Sequence, residues 1–242
     1  MQREGLRAKD KIRKTKIKTD FIKYPEGSCL IEQGSTKVIC SASIEEGVPS
    51  FLKGTGSGWI TAEYSMLPRS CPSRILRDRL PRQVSGRFLE IQRLIGRVLR
   101  AVIDLEALGE RTIWIDADVI QADGGTRCCS ITGCFVALVE ALKKLRKEGL
   151  IDKLPVKDFV AAVSVGIIDG NDLLDLSFSE DSKAEVDMNV AMTSRGKLIE
   201  VQSTVESGEG LTLSRMNDLI KLAKTGIDKL ISIQKEVLKI KQ

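Results

Sequence analysis

Thr112-Ile113-Trp114-Ile115-Asp116-Ala117-Asp118-Val119-Ile120-Gln121-Ala122-Asp123-Gly124-Gly125-Thr126-Arg127 is the stretch on which the fold turns. Ile113, Ile115 and Val119 alternate with Asp116 and Asp118, the two-residue period of a half-buried strand. The run ends in Asp123-Gly124-Gly125-Thr126, and a helix is predicted from roughly Arg127 to Lys147, capped by Thr126 and closed by Gly149. A strand feeding a helix through two glycines is the basic joint of an α/β domain.

On its N-terminal side a second helix is predicted from Gly86 to about Leu108, where Phe88, Ile91, Ile95, Val98 and Val102 recur at steps of three and four. Earlier still, residues 27–33 and 36–43 flank Gly34-Ser35, a two-residue hairpin signal, and 58–64 form another short strand. Gly54-Thr55-Gly56-Ser57-Gly58 lacks the spacing of a dinucleotide fingerprint and reads as a loop. On the C-terminal side strands are predicted over 159–168, 173–178, 186–192 and 198–204, then an amphipathic helix striped by Leu219, Leu222, Ile227, Leu230 and Ile231. Strands and helices in this order describe an α/β domain of the α+β, mixed-sheet kind. Residues 1–242 read as one domain, with 1–12 a basic tail.

The 242 residues contain no histidine. That excludes imidazole as acid, base, nucleophile or metal ligand, and with it Ser-His-Asp hydrolases, most zinc enzymes and His-based ribonucleases. None of the six cysteines forms a C-x-x-C pair, so they are expected to be free, mostly buried thiols in a reducing cytoplasm. No apolar run approaches the roughly 18 residues of a membrane span, and the basic N-terminus lacks the apolar core of a signal peptide.

The formal charge of +5 is concentrated. Residues 1–20 carry Arg3, Arg7, Lys9, Lys11, Arg13, Lys14, Lys16 and Lys18 against Glu4, Asp10 and Asp20. A solvated tail is the plain reading of such a run. Residues 69–100 hold nine arginines (Arg69, Arg74, Arg77, Arg79, Arg82, Arg87, Arg93, Arg97, Arg100), no lysine, and only Asp78 and Glu90 opposing. Guanidinium presents a planar donor fork matched to phosphate oxygens, so this segment favours a polyanion partner over a set of internal ion pairs.

Three groups carry possible chemistry. At Gly124-Gly125-Thr126-Arg127 the first N–H groups of a helix meet a guanidinium, an arrangement suited to phosphate. Arg87, after Ser85-Gly86, repeats that arrangement at another helix start. Asp181 and Asp187, near Glu180 and Glu185, offer paired carboxylates for Mg²⁺ or Mn²⁺. Each signal is weak alone, since glycines often only turn a chain and acidic turns are often only solvated.

Longer blocks resemble bacterial ribonuclease PH. They include Ser41-Ala42-Ser43-Ile44-Glu45-Glu46-Gly47-Val48-Pro49, Trp59-Ile60-Thr61-Ala62-Glu63-Tyr64, Met66-Leu67-Pro68-Arg69, Glu90-Ile91-Gln92-Arg93-Leu94-Ile95-Gly96-Arg97 and Gln121-Ala122-Asp123-Gly124-Gly125-Thr126-Arg127. The resemblance continues through Ser130-Ile131-Thr132-Gly133 and Ala161-Ala162-Val163-Ser164-Val165-Gly166-Ile167, and runs from about residue 12 to about 235.

The resemblance implies a ribosomal-protein-S5-domain-2-like α/β fold assembled as a homo-hexamer, a trimer of dimers. It implies a cytoplasmic, phosphorolytic 3′→5′ exoribonuclease that trims tRNA precursors and other single-stranded 3′ ends, and that runs in reverse from nucleoside diphosphates. Arg87, Gly125, Thr126 and Arg127 would hold inorganic phosphate, Asp181 and Asp187 the Mg²⁺ or Mn²⁺ ion, and Arg69, Arg74, Arg77 and Arg93 the RNA. The rival reading is a catalytically inactive RNA-binding ring subunit of the same fold, which would have lost phosphate or metal residues. Departures from the family pattern lie at Asp78–Val84, Phe88-Leu89, Cys128-Cys129 and Ser203, the last replacing a glycine and expected to crowd the nucleotide pocket.

Overall fold

The computed structural model describes residues 3, 6–77, 86–208 and 210–240. Its first sheet has the order β1-β2-β3-β5-β4, from β1 (Thr15–Thr19), β2 (Gly27–Gln33), β3 (Thr36–Glu46), β4 (Trp59–Met66) and β5 (Arg111–Gln121). All neighbours are antiparallel except β4 and β5. That parallel pair needs a crossover, which α1 (Gly86–Val102) and the single turn α2 (Leu105–Leu108) supply. The antiparallel second sheet runs β7-β6-β8-β9, from β6 (Val160–Ile168), β7 (Asn171–Leu174), β8 (Val186–Thr193) and β9 (Leu198–Val205).

α3 (Thr126–Lys147) lies between the sheets, against β2 and β3 on one side and β6 on the other. Its sequence explains the position: small and apolar residues occur all round, and nearly every one is buried. At Gly133 an added Cβ would fall 2.7 Å from both Cys40 Sγ and Ile31 Cγ2, so the helix seats on the first sheet only with glycine there. β6 is buried along its whole length because α5 (Leu213–Val237) covers its other face, which is why it reads as an unbroken apolar run. No helix among the described residues is long and apolar enough to cross a membrane.

Three expectations change. The helix predicted from Gly86 to about Leu108 breaks after Val102, where Ile103 bridges to Val156 and Asp104 caps the separate turn α2. The strand predicted over 173–178 stops at Leu174, because Asp175 takes φ +57° and the chain turns into the one-turn helix α4 (Phe178–Asp181). In the basic N-terminus Arg3, Arg7 and Arg13 are packed against the fold, while Lys9, Lys11, Lys14, Lys16 and Lys18 are exposed. Arg3 Nε donates to Glu180 Oε1 at 2.7 Å, Arg7 Nη2 to Glu180 Oε2 at 3.1 Å, and Arg13 Nη2 to Asp175 Oδ1 at 2.7 Å. These carboxylates are buried, so guanidinium partners are what make their burial tolerable. Five of the six cysteines are buried and all are free.

Candidate active site

The N-terminus of α3 and the start of α1 open on one cavity of about 430 Å³, walled on its far side by the second sheet. Arg87 and Arg127 line it together with Asp181, Asp187 and Glu206, and Asn189, Gln202 and Thr204 complete the polar wall. A more apolar cavity of about 580 Å³ adjoins it, lined by Met66, Ile75, Leu76, Phe88 and Phe178 and sharing Arg87, Arg127, Asp181 and Asp187.

The turn before α3 follows from its two glycines, at φ +73° and +65°. A Cβ on Gly124 would lie 2.6 Å from the Leu176 carbonyl oxygen, so only glycine allows this turn to lie on the segment leading to α4. Gly125, not Thr126, is the N-cap, and it brings no side chain to the first turn. Thr126 is already helical, and its Oγ1 accepts a hydrogen bond from Tyr64 Oη at 3.0 Å. The predicted cap is therefore displaced by one residue, and the first N–H groups of α3 have no competing side-chain acceptor at the cap. Burial pushes the Tyr64 phenol above its ordinary range, opposed by the Thr126 contact and by Arg87 and Arg127, so it stays a neutral donor.

Arg127 is aimed by its neighbours. Its Nη1 donates to Gln202 Oε1 at 2.7 Å and lies 3.5 Å from Glu90 Oε1, while Gln202 Nε2 donates to the same Glu90 oxygen at 2.9 Å.

The two aspartates reach the cavity from α4 and the start of β8. Burial, then the neighbouring charge of Asp181, pushes the Asp187 carboxyl up to about 6, with Arg127 pulling the other way. Asp181 is also raised by burial, opposed by Arg87 and Arg127. Two carboxylates whose ionisation is opposed by burial, on the same cavity as two guanidiniums, fit a divalent cation and an anion side by side. Asn189 Nδ2 donates to Asp187 Oδ2 at 3.2 Å, and Cys128 Sγ donates to Asn189 Oδ1 at 3.2 Å. Among the described residues no group of three His, Cys, Asp or Glu side chains forms a metal cluster. Two carboxylates suit Mg²⁺, which keeps several waters and binds substrate phosphates alongside one or two protein carboxylates.

The arginine-rich segment divides in two. Arg74, Arg77 and Arg93 are exposed and line neither cavity, although Ile75 and Leu76 line the larger one. Arg69 Nη1 donates to the Pro72 carbonyl at 3.0 Å. Arg97 pairs with Glu200, and Arg100 donates to the Ile60 carbonyl while its guanidinium stacks 4.3 Å from the Trp59 ring centre. Those two serve the fold, so the local charge excess overstated the number of cations offered to a polyanion. Residues 78–84, with Arg79 and Arg82, lie outside the described residues. Ser203 lines neither cavity, because strand alternation turns it away from Gln202 and Thr204.

Sequence reasoning missed Glu90, Asn189, Gln202, Thr204 and Glu206. A signal for three of them, Asn189, Gln202 and Thr204, existed in the two-residue period: β8 pairs with β9 so that Asp187 opposes Thr204 and Asn189 opposes Gln202. Those four positions share one face.

Comparison with known proteins is consistent along the chain. The model of the 3′ exoribonuclease family, domain 1, matches residues 11–143, and that of domain 2 matches residues 158–226. A Syntrophomonas wolfei protein named Ribonuclease PH is 56 % identical over 238 residues, covering 98 % of this chain and 99 % of the relative. The Bacillus cereus Ribonuclease PH is 57 % identical over 235 residues, covering 96 % and 95 % respectively. Among solved structures, rice Rrp46 superposes with a TM-score of 0.78 at 17 % identity, covering 97 % of this chain and 99 % of that one. An Archaeoglobus fulgidus exosome with RNA bound to the active site gives 0.79 at 21 % identity, covering 99 % and 93 %. At such identities the two structures speak for the fold alone.

Proposed function

The chain belongs to the 3′ exoribonuclease family, in its ribonuclease PH branch, and from that premise we propose how its residues divide the work. It is a phosphate-dependent, phosphorolytic 3′→5′ exoribonuclease. Its substrates are RNA 3′ ends, those of tRNA precursors first among them, and its products are nucleoside diphosphates. The observation that carries the assignment is the meeting of Arg87, Arg127, Asp181 and Asp187 on one cavity.

Inorganic phosphate sits at the start of α3, held by the amide donors of Gly125–Arg127, the Arg127 fork and Arg87. The helix dipole adds to that attraction. A phosphate oxygen attacks the last phosphodiester in line, the P–O3′ bond breaks, and the 3′-oxygen leaves with the shortened RNA. Phosphate is already an anionic nucleophile, so the chain needs no imidazole base. Asp181 and Asp187 would hold Mg²⁺ or Mn²⁺, which when bound neutralises charge on phosphoryl oxygens. Asn189 and Cys128 orient Asp187, while Gln202 and Glu90 orient Arg127. The exposed Arg74, Arg77 and Arg93, with Arg69, guide the RNA strand toward the apolar cavity.

The unit works as a single domain, because the catalytic groups come from α1 and the start of α3 in the first half of the chain and from α4 and β8 in the second. A cytoplasmic homo-hexamer built as a trimer of dimers is the assembly we assign. The test is a phosphate-dependence assay on a short 3′-extended RNA that resolves diphosphate from monophosphate products. Diphosphates that appear only with phosphate support the assignment. Equal turnover without phosphate would mean hydrolysis, and no turnover with phosphate, Mg²⁺ and RNA all present would mean an inactive RNA-binding subunit.

A further inference from the structure

Behind the cavity, several buried polar groups converge on one carboxylate. Asp175 is 1 % exposed, yet holds a left-handed backbone at φ +57°. Its Oδ2 accepts from the Arg13 amide at 2.6 Å and from Arg13 Nε at 3.1 Å, and its Oδ1 accepts from Arg13 Nη2 at 2.7 Å. The same guanidinium reaches the turn before α3: Nη1 donates to the Asp123 carbonyl and Nη2 to the Gly124 carbonyl, the latter at 3.4 Å. Thr36 completes the arrangement, since its Oγ1 donates to the Gly124 carbonyl at 2.8 Å and accepts from the Asp123 amide at 3.0 Å.

Burial opposes the charge on both partners, but their mutual attraction outweighs it, lowering Asp175 and raising Arg13. The pair stays ionised without lining either cavity. Peptide planarity supplies the consequence. With the Asp123 and Gly124 carbonyls drawn toward Arg13 and Thr36, the N–H groups of Gly124 and Gly125 are turned away from them. Gly124 and Gly125 line the larger cavity. Asp175 also begins the segment that ends at Asp181, and Gly124 lies in close contact with Leu176 and Ser177 of that segment.

We propose that Arg13, clamped by Asp175, is a positioning residue for phosphorolysis: it sets the Asp123–Gly125 turn so that its amides and Arg127 grip phosphate opposite Asp181. This rests on the assignment of Gly125–Arg127 to phosphate. The Arg13 fork makes four contacts from three separate nitrogens, whereas an ammonium has only three donors on one nitrogen and cannot reproduce them all. Arg13→Lys therefore keeps a cation beside Asp175 but loses the carbonyl contacts. A merely structural ion pair would be largely satisfied by that change.

The experiment is steady-state kinetics on the full chain with a 3′-extended RNA, varying phosphate, for wild type, Arg13→Lys, Thr36→Val and Arg127→Gln. Arg13→Lys is expected to raise the phosphate KM about tenfold, with kcat at saturating phosphate within about threefold. RNA affinity measured without phosphate should be unchanged. Thr36→Val, which removes the other anchor of the Gly124 carbonyl with no change of charge, should raise the phosphate KM severalfold and decides the matter if Arg13→Lys does not fold. A wild-type phosphate KM in folded Arg13→Lys, or in Thr36→Val where Arg13→Lys is unfolded, overturns the positioning role. If Arg127→Gln raises the phosphate KM while these variants do not, only the brace is wrong. If Arg127→Gln leaves that KM unchanged, the phosphate assignment fails and the brace falls with it.

Discussion

Nη1 of Arg127 donates to Oε1 of Gln202 at 2.7 Å, joining the first turn of α3 to β9. The amide is itself oriented by Glu90, to which Gln202 Nε2 donates at 2.9 Å. One end of the guanidinium is thus fixed before any anion arrives, which lowers the entropy cost of gripping phosphate.

Gln202→Ala should loosen that grip. A hydrogen bond to a charged group contributes about 1.5–3 kcal/mol, so a rise of about 10- to 150-fold in phosphate KM is expected. Initial-rate kinetics against phosphate measure it, and an unchanged KM would show that Arg127 does not depend on β9.

Asp187→Asn removes one charge and keeps the shape. Turnover should fall by about 10²–10³-fold, the scale typical of losing one electrostatic group at a reacting centre. RNA binding, read by filter retention without turnover, should be largely spared because the arginines are untouched. Wild-type turnover would remove Asp187 from the site.

Gly124→Ala places a Cβ 2.6 Å from the Leu176 carbonyl oxygen at a residue with φ +73°. The backbone strain alone costs about 1–2 kcal/mol. Urea unfolding should show a loss of at least that size, together with a higher phosphate KM as the two turns separate. A variant of wild-type stability would mean that the turn yields easily.

Glu180, paired with Arg3 and Arg7, is held at about 2 instead of its ordinary 4.5; burial raises it, and the Arg3 hydrogen bond leads the contacts that more than offset this. A carboxyl depressed in the folded state adds stability that is complete above its unfolded value. That contribution is lost as the pH falls from about 4.5 toward 2. Glu180→Gln should therefore flatten the acid limb of stability against pH by at most about 1.4 kcal/mol per pH unit. Identical slopes in denaturant titrations at pH 5, 4 and 3 would contradict the pairing.

RNA affinity should weaken steeply with salt, because each arginine–phosphate contact releases a counterion. Arg74→Ala or Arg77→Ala should each reduce the slope of log K against log salt by about 0.7, the value for single strands. Arg100→Ala should leave the slope unchanged and lower stability instead, since that side chain is engaged with Trp59 and the Ile60 carbonyl.

The parts legible in the sequence are those written as local patterns. β5 alternates through Ile113 and Ile115, α3 begins within one residue of its predicted start, and β8 alternates through Asp187 and Asn189. Arg87, Arg127, Asp181 and Asp187 are legible because anion-binding helix starts and paired carboxylates have local signatures, strengthened by resemblance. The long-range partners have none. Arg13 and Asp175 lie 162 positions apart, and Arg3 and Glu180 lie 177 apart, so the N-terminus read as a solvated run of charge.

By itself the sequence determined the elements, the absence of imidazole chemistry and the residue types that a phosphate and a hard cation require, because these follow from periodicity and composition. Tertiary structure alone decided which arginines face the cavity and which are used up on Trp59, Glu180 and Asp175. A charge's role depends on the nearest opposite charge and on how much water surrounds it, and both are set only when distant segments pack.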